Sequence, residues 1–287
     1  MKIDSKKGLI TLLVIGLAAL AVYFSGYELR LVPNEPELRP DLNNPQVQES
    51  QGGFKLEGGS EREHRGFPQR EIVDLASEFP GLFFREGDKS VKKVALTFDD
   101  GPDSVYTPQM LDVLKQHQVK ATFFFIGNRA KLFPEIVQKA VQEGHIIGNH
   151  TMTHPDILKL NAQDAMANIQ QAEDALAELI GYRTALFRSP YGSLNPERIK
   201  EIEKMGYKII AWNVDSLDWK SLTAEQVKTN ILENVKEGSI ILQHSAGGEG
   251  ENLSGSVAAL NEIITILKGE GYEFVTIPEM FDIPYKK

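Results

Sequence analysis

Apolar positions along this chain follow three regimes. From Gly8 to Tyr27 (GLITLLVIGLAALAVYFSGY) they run on without a charge. Twenty residues at a helical rise of about 1.5 Å span roughly 30 Å, the thickness of a bilayer's hydrocarbon core. The run predicts a single membrane-crossing helix. Lys2, Lys6 and Lys7 would keep the N-terminus cytoplasmic, and Tyr23, Phe24 and Tyr27 would sit at an interface. Ala19-Leu20-Ala21 supports the alternative of a cleaved signal peptide, although the apolar run continues past it. Either way the rest of the chain lies outside the membrane.

From Glu28 to Gly66 periodicity is lost, and Pro, Asn, Gln, Gly and Glu dominate. Such a segment cannot bury enough apolar surface to fold alone, so residues 28–66 are expected to be a flexible extracytoplasmic tether with a reach of roughly 35 Å r.m.s.. Residues 67–93, with a short amphipathic helix over about Gln69–Glu78, read as a structural lead-in. Beyond them the pattern alternates between period 2 and period 3.6. Strands are predicted at 94–98, 121–125, 145–148, 185–188, 209–213, 239–242 and 273–277. The clearest helices run from Ala162 to Leu179, Ala224 to Val235 and Ser256 to Lys268. Repeated strand–helix alternation makes an α/β parallel sheet or barrel. Seven strands in this length suggest an incomplete relative of the eight-fold barrel, with the catalytic domain at 94–287.

Composition narrows the chemistry. A net charge of −9 argues against a nucleic-acid partner, which needs a basic footprint. Residues 94–287 carry 26 acidic against 18 basic side chains, so the acidity belongs to that region. With no cysteine, disulfides, Cys-ligated zinc and thiol nucleophiles are all excluded. Any metal must be held by His and carboxylate.

In such barrels the active site forms at the C-terminal ends of the strands. The first predicted strand ends in TFDDGP (97–102), and the third in HTMTH (150–154). The fourth runs into RSPYG (188–192), the fifth into DSLDW (215–219), and the sixth ends in LQH (242–244). Asp-Gly-Pro alone reads as a turn, a lone His-x3-His pair as incidental, and a lone strand-end His as structural. Five polar clusters at five strand ends are not explained that way. Asp100 with His150 and His154 is a set that binds a divalent ion and leaves coordination positions open.

In this order the five clusters resemble the motifs of the polysaccharide deacetylases, the NodB-like carbohydrate esterases of family four, over roughly Val94–Pro284. The resemblance implies a distorted (β/α)7 barrel and hydrolysis of N-acetyl groups from an aminosugar polymer. It also implies that Asp100, His150 and His154 hold one divalent ion, zinc first, with cobalt or another divalent ion as the alternative. Asp99 is implied as general base, with Arg188 orienting it, since a neighbouring cation favours a carboxylate's charged form. The backbone N–H of Tyr191 is implied as an oxyanion donor, and His244 as the general acid, beside Asp218. Pro190, Trp219 and Leu242 are implied to contact substrate. Asp215 is expected to brace its loop, and His117 and His145 match no motif. Anchoring at a membrane makes peptidoglycan N-acetylglucosamine the favoured substrate, ahead of chitin oligomers and acetylxylan.

Three rival classes are weaker. A glycosidase places its two acids on separate elements, not on adjacent residues. Iron oxygenases of the 2-His-1-carboxylate type carry their first His and acid close together, not fifty residues apart. An inactive wall-binding module has no need of Asp99, Arg188 and His244 alongside the metal ligands.

Overall fold

The computed structural model describes residues 75–287. The expected membrane helix, the tether and most of the lead-in helix lie outside the described residues. Among the described residues no helix is long and apolar enough to cross a membrane.

The described residues hold nine strands in one sheet: β1 (Phe83–Phe84), β2 (Lys93–Asp99), β3 (Thr122–Phe125), β4 (Ile146–Asn149), β5 (Leu186–Phe187), β6 (Lys208–Ile210), β7 (Val214–Asp215), β8 (Ser239–His244) and β9 (Glu273–Phe274). Their order is β1-β6-β5-β4-β3-β2-β8-β7, with β9 added alongside β2. Every ladder between these strands is parallel. The longer helices are α1 (Tyr106–Gln116), α2 (Gly127–Leu132), α3 (Pro134–Gln142), α4 (Ala162–Ile180), α5 (Pro196–Lys204), α6 (Ala224–Leu232), α7 (Ser254–Gly269) and α8 (Ile277–Phe281). The result is a parallel-stranded (β/α) half-barrel.

All seven predicted strands are present, and two were missed. The missed pair, β1 and β7, have two residues each. The strand expected at 209–213 ends at Ile210, and the chain pairs again only at Val214. The Arg188 side chain explains the break: its Nε donates to Ile210 O at 3.0 Å and its Nη2 to Ala211 O at 3.2 Å. The strand expected at 273–277 stops early because Thr276 turns into the N-cap of α8, with Glu279 closing a capping box.

Strand alternation sorts the core into two layers. Outward residues Val94, Leu96 and Phe98 of β2 join Phe123, Phe125 and Ile241 beneath the helices. Against them α7 buries Ala259, Leu260, Ile263, Ile264 and Leu267, the stripe of a 3.6-residue period. Inward residues Ala95, Phe124, Leu186, Ile210 and Ile240 make a second, smaller cluster. The same period of two fixes which way the strand ends point. On β2 the inward series runs Ala95, Thr97, Asp99; on β8 it runs Ile240, Leu242, His244; on β5 Leu186 is followed by Arg188.

Candidate active site

Asp99 and His244 are register partners on the neighbouring strands β2 and β8, so their side chains enter the same interior from adjacent positions. Asp99 Oδ1 accepts from Arg188 Nη1 at 2.8 Å. That guanidinium is 1 % exposed and lies 4.3 Å from the Phe124 ring centroid. Its Nη1 also donates to Thr97 Oγ1 at 2.8 Å. Burial lowers the Arg188 pKa, and Asp99 opposes that shift. The arginine therefore has no freedom to leave the carboxylate.

Asp100 follows at φ 68, a left-handed conformation that turns its side chain away from the strand path. Gly101 is needed next, because a Cβ there would lie 2.3 Å from Ser245 Oγ and 2.8 Å from the Phe125 ring. His150 and His154 lie in an irregular loop after β4, not on a helix, with Thr151 and His154 at φ 69 and 58. Asn149 braces that loop: its Oδ1 accepts from Thr151 N at 2.8 Å, and its amide donates to Ile169 O and Tyr207 Oη.

One ligand atom each from Asp100, His150 and His154 lies within 4.8 Å of the others, and all three residues are buried. Both imidazoles turn Nε2 toward the same oxygen, Asp100 Oδ1, at 3.3 and 3.1 Å. Their Nδ1 atoms are committed elsewhere, to Arg188 O at 2.8 Å for His150 and to Tyr191 Oη at 3.0 Å for His154. A carbonyl only accepts, so His150 carries its proton on Nδ1, and its neutral form presents a bare Nε2 to a carboxylate. Neither Asp100 oxygen has a hydrogen-bond partner, although both are buried. Lone pairs converging in a buried space fit a divalent cation. Burial raises the Asp100 pKa, but His154 and His150 outweigh it and hold the carboxyl well below its usual range. Burial also lowers the His154 pKa, against the pull of Asp100, which favours the neutral imidazole a metal requires.

Tyr191 sits at φ 57 in a single 3-10 turn, Pro190–Gly192, and packs edge-on against His154 with ring centroids 4.6 Å apart. The hydroxyl bond to His154 was not anticipated from the sequence, which pointed only to the backbone of Tyr191. Pro190 is buried at the start of the same turn.

On the other side, His244 Nδ1 bonds Asp218 Oδ1 at 2.7 Å, and His244 N donates to Asp218 Oδ2 at 3.0 Å. Ser256 Oγ donates to that same Oδ2 at 2.6 Å, and Gln243 Nε2 donates to Ser256 Oγ at 2.8 Å. Burial raises the Asp218 pKa, but His244 and Ser256 outweigh it, so the carboxyl is held below its ordinary value. Ser256 and Gln243 were missed as part of this network. Gln243 points outward on β8 toward α7, and a signal for that pairing exists only in the strand phase. Asp215 Oδ1 caps Leu217 N at 2.8 Å, a loop contact. Trp219 and Leu242 are 8 % and 3 % exposed. His117 caps the end of α1 and bonds Asn261 at 2.8 Å; His145 is buried at the start of β4.

Residues 86–210 match the family model for polysaccharide deacetylases, a span that holds TFDDGP, HTMTH and RSPYG. A peptidoglycan-N-acetylglucosamine deacetylase of Bacillus cereus is 46 % identical over 195 residues, 68 % of this chain and 70 % of that one. The crystal structure of the Bc1960 peptidoglycan N-acetylglucosamine deacetylase superposes with a TM-score of 0.72 at 42 % identity, covering 75 % of this chain and 99 % of that one. The Bacillus anthracis BA3943 protein, a family-four carbohydrate esterase pseudoenzyme, superposes at 0.65 with 27 % identity, covering 71 % and 70 % of the two chains. The chain belongs to the polysaccharide deacetylase family, the NodB-like carbohydrate esterases of family four, and is a hydrolase of amide bonds.

Proposed function

We propose that the protein removes acetyl groups from N-acetylglucosamine in peptidoglycan, releasing acetate and leaving a free amine on the polymer. The observation that carries this reading is the buried constellation of Asp99 on Arg188, the Asp100–His150–His154 cluster beside it, and His244 in register with Asp99. The names of the relatives support peptidoglycan as the polymer, and so does the charge-free run at 8–27, read as an anchor that holds the domain next to a cell wall. We read the sheet as the distorted (β/α)7 barrel of this family, with 94–287 as the catalytic domain behind the lead-in and tether.

Asp100, His150 and His154 would hold a divalent ion, zinc by preference, whose chemistry there is Lewis acidity toward an acetamide carbonyl and a water. Asp99 accepts the proton of the attacking water. Arg188, fixed through Thr97, Ile210 and Ala211, keeps that carboxylate aimed. The Tyr191 N–H is set by the strained 3-10 turn to donate to the developing oxyanion. His244 donates the proton that the departing amine needs, and Asp218 stabilises the imidazolium. Pro190, Trp219 and Leu242 wall the space that receives the acetyl methyl.

Acetate release from peptidoglycan, chitin oligomers and acetylxylan, compared between wild type and Asp99→Ala, tests the reading. Peptidoglycan is expected to be the preferred substrate, with activity lost in the variant. Release from acetylxylan alone would overturn the assignment to an amide polymer.

A further inference from the structure

Between the two halves of the site lies a buried cation that none of the five motifs contains. Arg129, on α2, is 1 % exposed. Its Nη1 donates to Asp100 O at 2.9 Å and its Nη2 to Gly247 O at 2.6 Å. The first carbonyl belongs to a member of the metal cluster. The second lies three residues past His244. The guanidinium thus spans the loop after β2 and the loop after β8.

Its own helix is fastened to the same region. Ile126 N donates to Gly101 O at 2.9 Å, Gly127 N to Thr151 O at 2.9 Å, and Asn128 N to Met152 O at 3.0 Å. The entry into α2 therefore grips the TFDDGP loop and the HTMTH loop with backbone amides that have no partner inside a helix. Gly127 lets the backbones approach, since a Cβ there would lie 2.5 Å from Met152 Sδ and 3.0 Å from Ala172 Cα. Arg129 extends this grip to a third loop. A second link between the outer two comes from Ser245, whose N and Oγ donate to Asp99 O at 2.9 and 3.2 Å. Burial lowers the Arg129 pKa, while Asp100, Asp103 and Glu251 act against that shift. A planar fork with two separate acceptors suits this duty, and a lysine ammonium cannot cover both carbonyls in the same geometry.

We propose that Arg129 is a positioning residue for deacetylation: it locks the loop carrying Asp99 and Asp100 to the loop following His244, so that base, metal cluster and acid keep one geometry. This rests on the roles assigned above to Asp99 and His244. Its action runs through backbone carbonyls, so its loss moves catalytic groups without removing one.

The test uses the full chain, loaded with zinc, as wild type, Arg129→Lys and Arg129→Met. Measured are metal content, kcat and KM for acetate release, and amide hydrogen exchange by segment. In Arg129→Lys, metal content is expected to stay at the wild-type level while kcat falls about 10- to 100-fold with KM little changed, the size expected when reacting groups are displaced by about an ångström. In Arg129→Met, exchange is expected to quicken at 99–103 and 245–252 and not in α4 or α7. Wild-type kcat in folded Arg129→Lys and Arg129→Met overturns the proposal. So does faster exchange spread over the whole domain with kcat per folded molecule unchanged, because that marks a residue serving stability alone. Should wild type release no acetate while exchange rises only in the two named segments, the tie stands and the assigned reaction fails instead.

Discussion

At the C-terminal ends of the strands His150 and His154 are buried beside a carboxylate, whereas at the N-terminal end of β4 His145 is just as buried beside a lysine. His150 gives its Nδ1 proton to a carbonyl and turns Nε2 to Asp100 at 3.3 Å. His145 does the reverse. Its Nδ1 accepts from Ala121 N at 3.1 Å, so the proton sits on Nε2, 4.0 Å from the nearest Glu143 oxygen. Burial, helped by Lys120, lowers the His145 pKa to about 4. Burial lowers the His154 pKa as it lowers that of His145. Burial alone does not make a ligand; the direction of the bare nitrogen and the anion facing it do.

The strongest way to sharpen this contrast acts on the base. Asp99→Asn keeps the shape and an acceptor for Arg188 but removes the anion, and kcat is expected to fall about 10²- to 10⁴-fold at unchanged metal content. Elemental analysis beside the kinetics checks both halves. Next comes the cluster itself: the triple alanine variant of Asp100, His150 and His154 should bind no stoichiometric metal, and full retention of metal and activity would break the comparison. Tyr191→Phe removes the hydroxyl that holds His154 Nδ1, and metal affinity should drop about 10- to 100-fold, read by chelator competition. The smallest effect belongs to the opposite end. His145→Gln, which can still offer an acceptor to Ala121 N, should leave kcat and metal affinity untouched.

That last variant should differ from wild type in acid. The folded His145 pKa of about 4 lies below the ordinary histidine value of 6.5, so in acid the unfolded chain binds the proton that the native state refuses. Above pH 6.5 both states are neutral and nothing is lost. As pH falls from 6.5 to about 4, wild type loses up to about 3 kcal/mol through this residue. His145→Gln should show a shallower fall of Tm over that window. Equal slopes would mean that His145 is not a buried neutral group.

Much of this was legible in the sequence because the strand phase carries it. Arg188 and His244 continue inward series whose earlier members are plainly apolar, and Asp99 follows Ala95 and Thr97 on the same face, so the period of two that marks a strand also aims its last residue. What stayed hidden travels through the backbone or across elements. Arg129 acts on two carbonyls, and nothing in a residue pattern records which carbonyl a side chain will meet. Ser256 reaches Asp218 from α7, 38 positions along the chain. The gap between β6 and β7 exists because a guanidinium takes carbonyls that a strand would have used.

That gap gives Arg188 a second obligation. The side chain that aims the base also fills in for missing sheet hydrogen bonds at Ile210 and Ala211. A descendant that lost its chemistry would still need this arginine to keep the sheet intact, whereas Asp99 serves the fold only as that arginine's partner, through a hydrogen bond that a neutral amide oxygen could also accept. Decay of activity in such a lineage should therefore begin at the acid and its metal-binding neighbours, and an intact arginine in the third motif carries little information about whether a relative still turns over.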